Sequence, residues 1–561
     1  MIKTKIENYL KKVIYKTLIG ADFKLINTDF KIEVFTSEKD NFGHYSTNAA
    51  LKLAKELKKN PMQIADEIKI LLLSDRIARD YFEKIEIAAP GFINFWLTEK
   101  VLQDELKEIL KQKNNYGQSK IKGQKSKVQI EYISANPTGP LTLANGRGGF
   151  MGDVLSNILE FCGYKVEREY YVNDAGNQIL TLGKSILANA GFLAFEEKFY
   201  KGGYVKEWAI KNSLKVKKFK NNPMNPQLMY KWGMKVGKMA AANFLKEIKS
   251  VVKKAGINFN RWTSEEKDIY KKSFTSKALN IFKKAKLIYE KDGALWLKTT
   301  DFGDEKDRVL ITRDGFPTYF LADSGHYLET KKRGFNKKII ILGPDHHGYI
   351  KRIQAAAKII GLKDSDVIIT QAIRLISKGK EVKMSKRSGE FVTFEELIKE
   401  VSIDAARFFF LMHSADTHMD FDLDLAKEWS MKNPVYYVQY AAVRCGSILR
   451  KSQISNPKSQ INSKFKIQNL NLLDTLEDIN LMRMLARFPE IIKEAGEKYN
   501  PQILARYSLE LAWQFNNFYE KERVIGEEKN LAAARLELIK ATQIIFKILF
   551  SVLGISLPRR M

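Results

Sequence analysis

The chain is expected to fold as a mixed α/β protein with an all-helical C-terminal part: a parallel-sheet domain in the middle, a small α+β domain before it and a helix bundle after it. Three observations lead there. Residues 128–172 read as strand, helix, strand, because Val128-Gln-Ile-Glu-Tyr-Ile133 and Val166-Glu-Arg-Glu-Tyr-Tyr-Val172 flank a stretch in which Leu155, Ile158, Leu159 and Cys162 recur at helical spacing. Ile339-Ile-Ile-Leu342 is a continuous apolar run of the kind carried by a strand buried on both faces, and Gly343-Pro344 closes it. From about residue 400 onward the pattern is helical almost throughout.

The elements follow in order. Residues 1–110 are assigned to the N-terminal α+β domain. Helical periodicity runs through Ala49-Ala-Leu-Lys-Leu-Ala-Lys-Glu-Leu57, and Pro61 suits the first turn of the next helix. Ile85-Glu-Ile-Ala88 and Gly91-Phe-Ile-Asn-Phe-Trp-Leu97 read as strands, and the polar stretch 111–125 is a linker by composition. The parallel-sheet domain takes 125–400, with Gly163 placed to end its first helix. A lysine-rich helical section at about 180–290 interrupts it as an insertion, and strands resume at Ala294-Leu-Trp-Leu297 and Arg308-Val-Leu-Ile-Thr312. The helical domain takes 401–561; within it 451–464, polar and without acidic residues, is expected to be a disordered surface loop.

At 561 residues the chain is too long for one core, so three or four domains are expected. Two cysteines, Cys162 and Cys445, are too few for a disulfide framework or a four-ligand zinc site. No apolar run reaches the length of a membrane span and the first residues lack the pattern of a signal peptide, which points to the cytoplasm and to no membrane partner. The net charge of +29 suggests a polyanionic partner, although lysine is abundant along the whole chain, so charge by itself does not single out nucleic acid.

Two segments carry the chemistry. Ser134-Ala-Asn-Pro-Thr-Gly-Pro-Leu-Thr-Leu-Ala-Asn-Gly-Arg147 runs from a strand into a glycine-lined helix start, a geometry that presents backbone N–H groups to phosphate. Lys383-Met-Ser-Lys-Arg387, between Gly379 and Ser388-Gly389, reads by itself as an exposed basic loop. Tyr319 and Asp323 stand four apart, so a helical turn places both on one face. The adjacent His346-His347 point in different directions on most backbones and have no evident third ligand, so no metal is expected there.

Further blocks stand in order along the chain: Tyr171-Val-Asn-Asp-Ala-Gly-Asn-Gln178, Asp304-Glu-Lys-Asp-Arg308, Gly315-Phe-Pro-Thr-Tyr-Phe-Leu-Ala-Asp323, Gly343-Pro-Asp-His-His-Gly-Tyr349 and Asn433-Pro-Val-Tyr-Tyr-Val-Gln-Tyr-Ala441. With them the chain resembles the class I aminoacyl-tRNA synthetases, and among these the bacterial arginyl-tRNA synthetases, from Gly91-Phe-Ile-Asn94 to Leu557-Pro-Arg-Arg-Met561. The resemblance implies a Rossmann-type catalytic domain, an N-terminal domain at the tRNA elbow and a C-terminal anticodon-binding bundle. It implies a reaction in which arginine's carboxylate attacks the α-phosphate of ATP, pyrophosphate leaves, and a terminal ribose hydroxyl of tRNA(Arg) takes the arginyl group. Catalytic roles then fall to Lys386, Lys383, Ser385, Thr142 and Asn145, and ATP contacts to Pro137, Gly139, Ala144, Gly146, His346, His347 and Met384. Arginine contacts fall to Glu131, Ser134, Asn136, Tyr319 and Asp323, with Asp323 first for the guanidinium. Tyr436, Tyr440 and Arg444, spaced to share a helix face, are assigned to tRNA. L-arginine, ATP and tRNA(Arg) are the implied partners, magnesium enters with ATP rather than in a protein cage, and a monomer is expected.

The first signature departs from the family's pattern. Where that reads Pro-Leu-His-x-Gly-His-Gly-Arg, this chain has Pro140-Leu-Thr-Leu-Ala-Asn-Gly-Arg147. The Thr142 hydroxyl and the Asn145 amide keep hydrogen-bond donors for phosphate, and the option of an imidazolium charge is lost. Ala144 adds a methyl where adenine is expected to approach the backbone. The competing reading is a non-catalytic tRNA-binding relative that lost its phosphate histidines. The intact Lys383–Arg387 loop together with Tyr319 and Asp323 favours the enzyme.

Overall fold

A computed structural model describes residues 1–17, 31–37, 42–119, 127–217, 225–362, 364–382, 392–455 and 469–561. Its N-terminal part opens with α1 (Ile2–Thr17) and builds a four-stranded antiparallel sheet from β1 (Val34–Thr36), β2 (Tyr45–Thr47), β3 (Phe82–Ala88) and β4 (Phe92–Leu97), in the order β1-β2-β4-β3. Between β2 and β3 lie α2 (Ala49–Leu57), α3 (Pro61–Ser74) and α4 (Arg76–Tyr81). Asn60 caps α3 by accepting from Met62 N, and Pro61 takes the first turn, where a missing N–H costs nothing. The stretch expected to be a linker begins as helix, since α5 runs Glu99–Gln112 and a 3-10 turn continues to Asn115; residues 120–125 lie outside the described residues.

The central part is a five-stranded parallel sheet of β5 (Lys127–Glu131), β6 (Lys165–Val172), β7 (Arg261–Ser264) and two later strands. α6 (Leu143–Phe161) crosses from β5 to β6. Gly163, at φ +92, turns the chain out of that helix as its spacing predicted. α7 (Gly176–Asn189), α8 (Gly203–Lys211), α9 (Ser213–Lys217) and α10 (Pro226–Lys254) then form the insertion. It ends earlier than the sequence pattern implied, because β7 already returns to the sheet beside β6. α11 (Phe274–Lys284) follows, and β8 (Ile288–Lys291), β9 (Ala294–Leu297) and β10 (Arg308–Ile311) make an antiparallel sheet of their own. α12 (Tyr319–Lys332), β11 (Lys337–Leu342), α13 (Ile350–Ile360) and β12 (Asp364–Ile369) complete the parallel sheet, ordered β12-β11-β5-β6-β7.

β13 (Ile373–Ser377) pairs with β14 (Lys380–Glu381) and, after α14 (Phe394–Glu400) and α15 (Ile403–Leu411), with β15 (Met419–Asp422). α16 (Leu423–Lys427) leads to α17 (Pro434–Ser455), α18 (Leu476–Glu497), α19 (Gln502–Lys521) and α20 (Lys529–Leu553). α17 carries helix through 451–455, the start of the expected polar loop, whose residues 456–464 are outside the described ones. One apolar core joins the N-terminal part, α5 and the C-terminal bundle, and takes in Ile158 of α6; a second fills the parallel sheet around Val128, Ile130, Phe150 and Ile339. Among the described residues no helix is long and apolar enough to cross a membrane.

Candidate active site

The first signature forms the turn after β5 and the start of α6. After β5 the backbone enters the left-handed region at Ile133 (φ 65) and Ser134 (φ 38), and the Ser134 Oγ accepts from Tyr171 N at 3.0 Å, tying the turn to β6. Ser134 is thus engaged with the neighbouring strand. Asn136 and Gly139 are half-buried in the turn that follows, Pro137 is buried, and a Cβ on Gly139 would stand 2.7 Å from the Tyr204 ring of the insertion. Thr142 is the N-cap of α6. Its Oγ1 accepts from Asn145 N at 3.4 Å, while Asn145 Oδ1 accepts from both the Thr142 N–H and its hydroxyl at 2.9 Å.

That pairing corrects the expectation that both side chains offer donors to phosphate. The Thr142 hydroxyl proton is used on Asn145, which leaves the Asn145 Nδ2 and the first-turn N–H groups of Leu143 and Ala144 as outward donors. Ala144 is half-buried on that turn and Gly146 is buried beneath Phe394, whose ring a Cβ would meet at 2.3 Å. Phe394 N donates to Leu141 O at 2.9 Å and Thr393 forms a bridge with Thr142, so the chain leaving the basic loop is anchored on the first signature. The loop residues Lys383, Met384, Ser385 and Lys386 lie outside the described residues. Buried Arg147 donates to Gln371 O (2.9 Å), Ser414 O (2.7 Å) and Thr417 O (2.8 Å), fixing the loops after β12 and α15 under the same helix start.

A second group of side chains is acidic: Glu131, Glu265 and Asp323 stand close enough for the first two to act on the charge of the third. Glu131, at the end of β5, is buried; Tyr319 and Asp323 occupy the first turns of α12, Tyr319 exposed and Asp323 half-buried. Glu265, buried on a short π-helical turn after β7, was not singled out from the sequence, where nothing marks it among the surrounding charged residues. Tyr171 donates to Glu265 Oε2 at 3.0 Å and its ring stacks on His326 at 4.4 Å. Burial, then the fields of Glu265 and Glu131, push the Asp323 carboxyl up to about 7. Burial and Asp174 push Glu265 up to about 7, against the hydrogen bond from Tyr171. Crowded carboxylates in a dry pocket hold protons only until a cation arrives.

The pH dependence follows. Cation binding needs these carboxyls ionised, so affinity for a cationic ligand rises as pH goes from about 6 to about 8 and binding releases protons near neutrality. The free protein carries the opposite sign: with folded values above the unfolded carboxyls near about 4, stability is fullest below that and falls as pH climbs through about 7. Calorimetric titration with arginine in buffers of different ionisation enthalpy measures the released protons. A proton count of zero at pH 7 would remove the raised carboxyls from the binding event.

Glu131, Glu169 and His326 have the spacing of a metal site, but the ammonium of Lys338 stands among them. The residues Glu169, His326 and Lys338 were not anticipated either. His346 lies in the 3-10 turn Pro344–Tyr349 with its ring edge-on to Tyr349 at 5.3 Å; for His347 only the backbone is described. On α17, Tyr436 and Tyr440 share a face as their spacing predicted, with rings near parallel at 6.2 Å. The Arg444 guanidinium lies over Tyr440 (4.7 Å) and Tyr519 (4.6 Å), and Trp429, 83% exposed, meets Tyr436 edge-on.

Comparison with known proteins covers the chain from end to end. The arginyl tRNA synthetase N terminal domain matches residues 1–97, the class I (R) tRNA synthetase catalytic domain 105–417, and the DALR anticodon binding domain 438–561. Arginine–tRNA ligase 1 of Halalkalibacterium halodurans is 39% identical, with 99% of each chain covered, and the arginine–tRNA ligase of Carboxydothermus hydrogenoformans is 40% identical, with 97% of each covered. The arginyl-tRNA synthetase of Thermus thermophilus shares the fold at a TM-score of 0.75 and 20% identity, with 100% of each chain covered. With all three domains matched in order, the chain belongs to the arginyl-tRNA synthetase family of class I.

Proposed function

We propose that this chain activates L-arginine with ATP and transfers the arginyl group to tRNA(Arg), working as a cytoplasmic monomer, and that Asp323, Glu265 and Glu131 form its amino-acid pocket. The observation that carries the pocket assignment is Asp323, on the first turns of α12, standing within the fields of two buried carboxyls, Glu265 and Glu131, that raise it together with its own burial. A guanidinium presents planar paired donors, which suit carboxylates better than a point ammonium does. Tyr319 closes the pocket at its exposed rim.

The reaction needs no covalent enzyme nucleophile, only aligned reactants and charge stabilisation. The first turn of α6 and Asn145 Nδ2 bind phosphate, and Lys386, with Lys383 and Ser385, stabilises the departing pyrophosphate. Magnesium arrives with the nucleotide. Among the described residues the cluster with metal-ligand spacing already holds the Lys338 ammonium, so its donor set does not suit a resident ion. For the tRNA, unpaired bases stack on Tyr436, Tyr440 and Arg444. The insertion supports the acceptor arm, since residues 198–254 hold 15 lysines against two glutamates.

The test is charging of tRNA(Arg) with labelled arginine, alongside Lys386→Ala. The parent should charge, and the variant should lose about 100-fold in kcat with little change in arginine KM. Folded protein that charges no tRNA above background would sink the catalytic reading.

A further inference from the structure

A cluster of buried charged side chains, Glu131, Glu169, His326 and Lys338, lies behind the pocket, and all but Glu131 take no part in the reaction as described. Strand register puts them there: Lys338 of β11 is opposite Gln129 of β5, which is opposite Glu167 of β6, and one pleat further Glu131 is opposite Glu169. Two carboxylates side by side on adjacent strands repel unless a cation bridges them. Lys338, 0% exposed, is that cation. Its Nζ donates to Gln129 Oε1 at 2.7 Å and to Glu169 Oε2 at 3.1 Å, and it forms an ion pair with Glu131 Oε2 at 2.9 Å. His326 Nε2 stands 3.3 Å from the same nitrogen and 3.0 Å from Glu169 Oε2, within hydrogen-bond reach of both.

His326 stands one turn beyond Asp323 on α12, so the cluster sets that helix against the strand bearing Glu131. Arg333, the residue that caps the C-terminal end of α12, bonds to Glu167, Glu169 and Glu329, and Arg261 of β7 reaches Glu329 at 2.9 Å. Among the described residues the basic groups recorded against Glu131 are Lys338 at 2.9 Å and His326 at 3.8 Å.

We propose that Lys338 is a positioning residue for the amino-acid pocket: it fills the cation place between Glu131 and Glu169 and so holds Glu131, through Gln129 and His326, in register with Asp323. The inference rests on the pocket reading above, in which Glu131 faces the substrate. Removing the ammonium frees the Glu131 carboxylate to swing or to take a proton, and the pocket loses one fixed charge. Lys338 does not itself touch arginine.

Lys338→Met tests this, with Lys338→Met/Glu169→Gln as the version in which the buried charge left behind is neutralised. In both, arginine KM should rise roughly 10- to 100-fold, the size usual for a group that orients a ligand-binding residue, with ATP KM and tRNA affinity unchanged. Lys338→Ala should regain part of its arginine affinity when methylammonium or ethylammonium is supplied, a response that a purely structural lysine would not give. The same variant should bind one zinc ion at the vacated trio while the parent binds none. Wild-type arginine KM in the folded double variant overturns the proposal, as does absence of amine rescue in folded Lys338→Ala. Glu131→Gln separates the two layers: an unchanged arginine KM there overturns the pocket reading, whereas a raised KM there with a normal one in the Lys338 variants overturns only the positioning role.

Discussion

Asp323→Asn should lower kcat/KM for arginine by about 30- to 4,000-fold while leaving tRNA affinity unchanged. The range corresponds to the about 2–5 kcal/mol lost when one member of a desolvated, hydrogen-bonded charge pair is removed. Asparagine keeps the shape and one acceptor oxygen but cannot meet a guanidinium with two, and it presents N–H groups to the ligand's N–H groups. The loss should fall mainly on arginine KM, since the proposed ATP contacts are at the start of α6 and not on α12. Glu265→Gln should cost less, because the amide can still accept from Tyr171 while Asp323 remains. The substitution should also change discrimination: citrulline, neutral and nearly isosteric, gains relative to arginine once the carboxylate is gone. Steady-state exchange measured with both amino acids, in the presence of tRNA, reads both effects. An unchanged arginine KM in Asp323→Asn would take Asp323 out of the pocket.

Local pattern made part of this site legible and distance in sequence hid the rest. The β5–α6–β6 order, the cap at Gly163 and the shared face of Tyr319 and Asp323 each depend on residues within a turn or two of one another, and each is found as the spacing implied. Glu265 and Lys338 show the limit. Lys337-Lys338 before Ile339 reads as a solvated strand end, and only the register with β5 and β6 supplies the carboxylates that bury Lys338. Glu265 follows β7, a four-residue strand too short to stand out, and becomes part of the pocket only because β7 joins the sheet edge beside β6. The first signature failed differently. Thr142 and Asn145 were weighed as donors to a ligand, whereas three residues apart at a helix start they first satisfy each other.

Arg407→Met should destabilise the catalytic body by about 3–5 kcal/mol, the cost of leaving a buried carboxylate without its cation. Arg407 of α15 is 1% exposed; its Nη1 donates to Asp153 Oδ2 of α6 at 2.6 Å and its Nη2 to the carbonyls of Ala255 (3.2 Å) and Gly256 (3.0 Å), where the insertion returns to the sheet. Its guanidinium also lies over the Phe150 ring at 4.7 Å, and the turn ending α20 presses on it, since a Cβ on Gly554 would stand 2.4 Å from Nη1. Four elements distant in sequence thus converge on one side chain, and methionine can replace its packing but not its five donors. Asp153→Asn in the same background removes the orphaned charge, so the double variant should recover part of the loss, with the coupling read from a double-mutant cycle in denaturant. Additive single effects would mean that the pair contributes no interaction of its own. Because α6 begins at the Thr142 cap and carries Asn145, the ATP KM of Arg407→Met well below its unfolding transition separates global loosening from loss of the site: a purely global effect leaves it at the parent value, and a shifted α6 raises it.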